Sequence, residues 1–112
     1  MRNEQLAGVL EMLVLRTLTL GPTHGYAIAR HIERLSDDVL KVEQGSLYPA
    51  LDRLLRRGWV TARWAETPTK RRARYYTITA AGRKRLKERT AEHARVALAI
   101  ERVMNESGAH AR

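Results

Sequence analysis

Two stretches of the 112-residue sequence gather side chains whose types and spacing could do chemistry. The first is Gly45-Ser46-Leu47-Tyr48-Pro49-Ala50-Leu51-Asp52-Arg53-Leu54-Leu55-Arg56-Arg57-Gly58. At helical spacing, Leu47, Ala50, Leu51, Leu54 and Leu55 form one apolar face. Ser46, Tyr48, Pro49, Asp52, Arg53 and Arg56 fall on or beside the opposite face. A helix with a small polar residue and a tyrosine near its N-terminus suits the major groove of DNA, which admits one helix and meets its first residues at the base edges. The backbone N–H groups at such an end also favour a phosphate oxygen. The second stretch holds Lys70, Arg71, Arg72 and Arg74 within five residues. These cations repel one another until an anion arrives, and a phosphate backbone or a narrow minor groove supplies it.

Other chemistries lack their residues. There is no cysteine, which excludes a disulfide scaffold, a thiolate zinc site, an iron–sulfur site and a thiol nucleophile. His24, His31, His93 and His110 are scattered, and His24 and His31 lie two helical turns apart, too far for a chelating pair. Asp37-Asp38 reads as a turn. Ser46 has no base near it in sequence, and no glycine-rich phosphate loop is present. The expectation is a non-enzyme without metal or cofactor.

The charge is concentrated. Net charge is +9, yet 13 of the 21 Lys and Arg lie between Arg53 and Arg89, against two of the 12 acids. Such a block marks a polyanion-binding face, nucleic acid before membrane. No apolar run approaches the about 18 residues of a membrane span. The N-terminus carries no signal-peptide cleavage site and reads as mature sequence, so a cytoplasmic location is expected.

The elements that must position these residues follow from periodicity and breakers. A first helix over about Glu4 to Leu20 carries Leu6, Val9, Leu10, Leu13, Val14 and Leu18 at a 3.6-residue period. Met12 and Leu15 lie off that stripe, so the helix asks for burial on more than one side. Gly21-Pro22 ends it. Thr23 is expected to cap a second helix that runs to about Leu35. Ser36 to Asp38 forms a turn, and Val39 to Val42 a short extended piece. The third helix covers about Ser46 to Arg57 with Ser46 as N-cap, or begins two or three residues earlier and puts Pro49 deeper. Trp59 to Glu66 and Arg74 to Thr79 read as strands of a hairpin with a basic tip. Thr79 caps a last helix from Ala80 to about Ser107. This order is that of a winged helix-turn-helix. The fold expected is mainly α with a small β-hairpin wing. Residues 1–79 form the winged helix, and residues 80–112 a long C-terminal helix with a short tail.

That last helix is too long for so small a domain to cover. Its first half is basic, and its second half holds Val96, Ala97, Leu98, Ile100, Val103 and Met104. Leu86, His93 and Ile100 are spaced by sevens like a short coiled-coil seam, with Arg89 where the seam would want an apolar residue. The use expected for it is a dimer arm on the first helix of a second copy. A basic membrane-surface helix is the rival, and the separation of basic and apolar halves along the axis argues against it.

Taken together, Gly45-Ser46-Leu47-Tyr48-Pro49-Ala50-Leu51 with Leu54 and Gly58-Trp59-Val60 resembles the recognition-helix signature of the PadR family of bacterial transcriptional regulators. Arg74-Tyr75-Tyr76-Thr77-Ile78-Thr79-Ala80-Ala81-Gly82-Arg83 resembles its wing-to-helix signature, and His24-Gly25-Tyr26 the start of its second helix. The resemblance spans nearly the whole chain, and its single helix after the wing matches the shorter subgroup. It implies a winged-helix repressor that binds inverted-repeat operators as a homodimer, and whose relatives release DNA on binding a phenolic acid or a hydrophobic drug near the dimer interface. Relatives of this size stack planar drugs on a tryptophan of the last helix. This sequence has no aromatic residue after Tyr76, so His93, Ala97 and Ile100 would make a smaller or differently shaped site.

The DNA-binding residues expected are Gln44, Ser46, Tyr48, Pro49, Arg53, Lys70, Arg71, Arg72 and Arg74. The dimer residues expected are Leu6, Leu10, Leu13, His93, Val96, Ala97, Ile100, Val103 and Met104. The partners expected are double-stranded DNA, a second copy of the chain and a small hydrophobic effector, with no membrane. The competing readings are a non-specific architectural DNA binder, which differs by lacking sequence selectivity, and a protein-interaction module, which would not need the wing arginines.

Overall fold

The computed structural model describes the backbone of residues 3–106 and the side chains of residues 8–106. In chain order the elements are α1 (Asn3–Leu18), β1 (Thr23–His24), α2 (Gly25–Leu35), α3 (Gln44–Arg56), β2 (Val60–Glu66), β3 (Arg72–Ile78) and α4 (Ala80–Met104). The three strands form one antiparallel sheet in the order β1-β3-β2. The expected winged-helix order is therefore present, with one strand more than the hairpin alone.

One core holds the elements together. Val14, Leu15 and Leu18 of α1 meet Ile28 and Ile32 of α2, Leu47, Leu51 and Leu54 of α3, Val60 of β2, and Tyr76 and Ile78 of β3. All are buried. Leu15, which lies off the periodic stripe of α1, is fully buried, so α1 packs on two sides as an apolar helix must. Leu10 and Leu13 pack against the edge of this core. Leu6 lies outside the residues whose side chains are described.

Three local expectations are corrected. The cap of α2 is His24, not Thr23: the imidazole Nδ1 accepts from the Ala27 N–H at 3.3 Å. Thr23 and His24 instead pair with Tyr76 and Tyr75 as the edge strand β1. The cap of α3 is Glu43, not Ser46, and its side chain makes no capping bond. Pro49 is thus the sixth residue of α3, the deeper of the two placements weighed from sequence. Residues 39–43 form no strand; Asp37 and Asp38 turn the chain with φ of 51° and 63°, and the Glu33 carboxylate accepts from the Val42 N–H at 2.9 Å.

The step from hairpin to α4 is tightly made. Thr79 caps α4, its hydroxyl accepting from the Gly82 N–H at 3.0 Å and donating to the Gly58 carbonyl at 2.8 Å. The guanidinium groups of Arg57 and Arg85 each lie 5.2 Å from the Trp59 ring centroid. Leu86 packs on the core. Arg89 lies against Gly8 of α1, which explains the cation in the heptad spacing: that position faces α1 of the same chain. From His93 on, all of α4 is exposed.

Two glycines of opposite character give a stability test. A Cβ on Gly82 would sit 2.1 Å from the Trp59 carbonyl oxygen and 2.8 Å from Ile78 Cγ1. Backbone cannot give way cheaply, so Gly82→Ala should cost about 3 kcal/mol. A Cβ on Gly45, inside α3, meets nothing within 4 Å, so Gly45→Ala should stabilise by roughly 0.5 to 1 kcal/mol. Urea unfolding of both variants checks the pair, and equal midpoints would contradict this packing.

Burial pushes the Tyr76 phenol above its ordinary value of 10.0, against an opposing pull from the Arg74 guanidinium. The folded state therefore holds this proton after the unfolded state has lost it, and stability falls as pH rises past the unfolded value. Tyr76→Phe should flatten that fall in urea unfolding followed from neutral pH into the alkaline range.

Candidate nucleic-acid interface

The buried leucine face of α3 dictates what its other face presents. Gln44, Ser46, Tyr48 and Pro49 are all exposed along the first half of the helix. The helix starts without a side-chain cap; the Ser46 and Leu47 N–H groups donate to the Glu43 carbonyl, and those of Gln44 and Gly45 are left to an anion. Tyr48 is held from behind: Gly25, the first residue of α2, is buried, and a Cβ there would lie 3.0 Å from Tyr48 Cε1 and Oη. A side chain at position 25 would press the phenol ring outward by a few tenths of an ångström. The Arg53 Nε donates to the Glu11 carboxylate at 2.8 Å, tying α3 to α1, and its side chain lines the same cleft as Ser46 and Pro49. Arg56 is paired with Asp52.

The wing is an ordered hairpin. Its tip is closed by Thr67, whose N–H donates to the Arg71 carbonyl at 2.7 Å and whose hydroxyl accepts from the Arg71 N–H at 3.1 Å. Lys70 takes φ of 64° at the turn. Lys70 and Arg71 stand exposed at the tip, while Arg72 and Arg74 belong to β3 rather than to the loop. In register, Val60 faces Ile78, Ala62 faces Tyr76, Trp64 faces Arg74 and Glu66 faces Arg72. Paired residues share one face of the sheet. Val60, Tyr76 and Ile78 are buried, so this is the core face, and Trp64, Arg74 and Arg72 continue it beyond the core toward the tip.

These side chains form a ladder. The Arg74 guanidinium lies 5.9 Å from the Tyr76 ring centroid, and the Arg72 guanidinium 5.5 Å from that of Trp64. Tyr76 packs in the same core as Leu47, Leu51 and Leu54 of α3. On this sheet face the guanidinium–ring contacts thus run from the core at Tyr76 outward toward the wing tip. On the other sheet face the His24 ring meets Tyr75 edge-on at 5.3 Å.

Sequence reasoning missed Gly25, His24 and Trp64. The His24-Gly25-Tyr26 spacing could have flagged the first two. The face that Trp64 occupies depends on the length of the hairpin turn. The dimer residues expected on α4, His93, Val96, Ala97, Ile100, Val103 and Met104, are all exposed. A cleft of about 470 Å³ lies between α1, the 40–43 segment and α3, with Leu10, Leu13, Ser46 and Pro49 in its lining. His93, Ala97 and Ile100 do not line it. Among the described residues no group of His, Asp and Glu could hold a metal ion, and no helix is long and apolar enough to cross a membrane.

The comparisons with known proteins agree with this geometry. The model of the transcriptional regulator PadR-like family matches residues 14–88. A transcriptional regulator from Clostridium thermocellum superimposes with a TM-score of 0.80 at 26% identity, over 89% of this chain and 97% of that one. A PadR family regulator from Eggerthella lenta gives 0.74 at 29% identity, over 92% and 88%. Bacillus subtilis PadR, solved in complex with operator DNA, gives 0.64 at 28% identity, over 71% of this chain and 45% of that one. With the family model covering most of the chain and the winged helix complete, the protein belongs to the PadR-like family of transcriptional regulators.

Proposed function

We propose that this chain is a site-specific DNA-binding repressor that acts as a homodimer on an inverted-repeat operator in the cytoplasm. The observation that carries the reading is an exposed N-terminal half of α3, with Ser46 and Tyr48, beside a wing that carries exposed Lys70, Arg71, Arg72 and Arg74. In this reading α3 enters the major groove, where Gln44, Ser46, Tyr48 and Pro49 meet base edges. Lys70, Arg71, Arg72 and Arg74 neutralise phosphates or enter the adjacent minor groove. Arg53 meets a phosphate through the guanidinium N–H groups that its Nε bond to Glu11 leaves over. The structure of Bacillus subtilis PadR with operator DNA supports the same use of this fold.

The dimer follows from what α4 leaves uncovered. Val96 is 54% exposed, Ile100 57%, Val103 71% and Met104 76%. So much apolar surface at the end of a molecule 62 Å long asks for a partner, and α1 of a second copy is the proposed one. Leu10, Leu13, His93 and Ala97 belong to the same proposed contact. A small hydrophobic or phenolic effector completes the reading. The cleft beside α3 is the right size for such a ligand and borders Ser46 and Pro49.

Selection of bound fragments from a random DNA library at physiological salt tests this. The expected result is a two-fold symmetric sequence with half-sites about one helical turn apart. Tight binding with no enriched sequence would favour the architectural alternative. On the selected site, Tyr48→Ala should lose roughly tenfold in affinity while binding to random duplex barely changes. Ile100→Glu should turn a dimer into a monomer in sedimentation equilibrium; an unchanged mass would remove α4 from the interface.

A further inference from the structure

We propose that Trp64 is a direct contact to the DNA sugar–phosphate backbone, acting between the two wing arginines. The inference rests on the DNA-binding reading above and adds to it a residue that carries no charge. Trp64 is 59% exposed, on a strand whose inward neighbours are core. An indole is a costly group to leave in water, and the core ends before it. Arg72 covers part of the ring from 5.5 Å, and Arg74 stands directly across from it on β3.

The surroundings select the partner. Arg63, Lys70, Arg71, Arg72 and Arg74 crowd the outer hairpin against a single acid, Glu66. An exposed apolar ring inside such a field suits a polyanion that also offers apolar surface. A nucleic acid backbone does, through its phosphates and sugars. The indole has one N–H to donate to a phosphate oxygen, and a ring to pack on deoxyribose. The ring lies on the sheet face that runs back to Tyr76, which packs in the core with Leu47, Leu51 and Leu54 of α3. A duplex seated on α3 therefore passes the Trp64 side of the wing.

The test uses the full chain, Trp64→Phe, Trp64→Ala and Arg72→Ala with a mixed-sequence duplex at low salt. The emission that Trp64→Phe removes belongs to Trp64, which separates it from Trp59. Saturating duplex is expected to shield that emission from acrylamide several-fold. Trp64→Ala is expected to bind about tenfold more weakly with its salt slope unchanged, while Arg72→Ala flattens the slope by about 0.9. Circular dichroism confirms that each variant is folded, and Trp64→Phe supplies a conservative aromatic control if Trp64→Ala is not.

Bound duplex that leaves Trp64 open to acrylamide, or a Trp64→Ala affinity equal to wild type, overturns the contact. So does a Trp64→Ala slope flattened as much as that of Arg72→Ala, since the indole would then act only by holding the guanidinium. Failure of the wild-type chain to bind duplex at all is a different result. It defeats the DNA-binding reading first, and this contact with it.

Discussion

Burial of Leu47, Ala50, Leu51 and Leu54 sets the rotation of α3 about its own axis, and the rest of the molecule is arranged around that choice. Each leucine taken out of water contributes about 1.5 to 3 kcal/mol. Rotating the helix to hide Ser46 and Tyr48 would expose that face and strand polar groups in the core. The helix needs no capping side chain at Glu43, because packing holds it. The Gln44 and Gly45 N–H groups are left open for the same reason. The feature that stabilises the fold is thus also the one that aims the site.

Tyr76 joins that helix to the wing. Its ring is core, its edge-strand partner is Thr23, and the Arg74 guanidinium lies over it. A charge placed on the wing is therefore tied through one aromatic ring to the ground on which α3 sits. The Trp59–Gly82 junction does the corresponding work for α4, fixing where the long helix leaves the domain. Arg89 against Gly8 then sets how closely α4 lies on α1. The first half of α4 is part of the domain, and only its second half is free to reach a partner.

Much of this was readable from the sequence, for identifiable reasons. The leucine spacing of α3, the Thr79 cap and the Pro68 break between the strands are local signals, and each appears where expected. The start of α3 was not fixed by such a signal, since its N-cap, Glu43, makes no side-chain capping bond. β1 has two residues, too few for any periodicity, and exists because β3 offers it an edge. Leu15 falls off the stripe of α1 because that helix is covered on two sides. Arg53 sits on the polar side of its helix by spacing alone; only the fold brings Glu11 to it. The ladder of Arg72, Trp64 and Arg74 depends on hairpin register, which a change of one residue in the turn would invert.

The proposed function requires α3 and the wing to meet DNA with one face. Backbone amide chemical-shift mapping of the labelled protein with its selected duplex measures this. Shifts are expected to concentrate in residues 44–48 and 63–74, with the second half of α4 unmoved beyond what dimerisation already causes. Shifts confined to α4, or spread evenly over all basic residues, would contradict it.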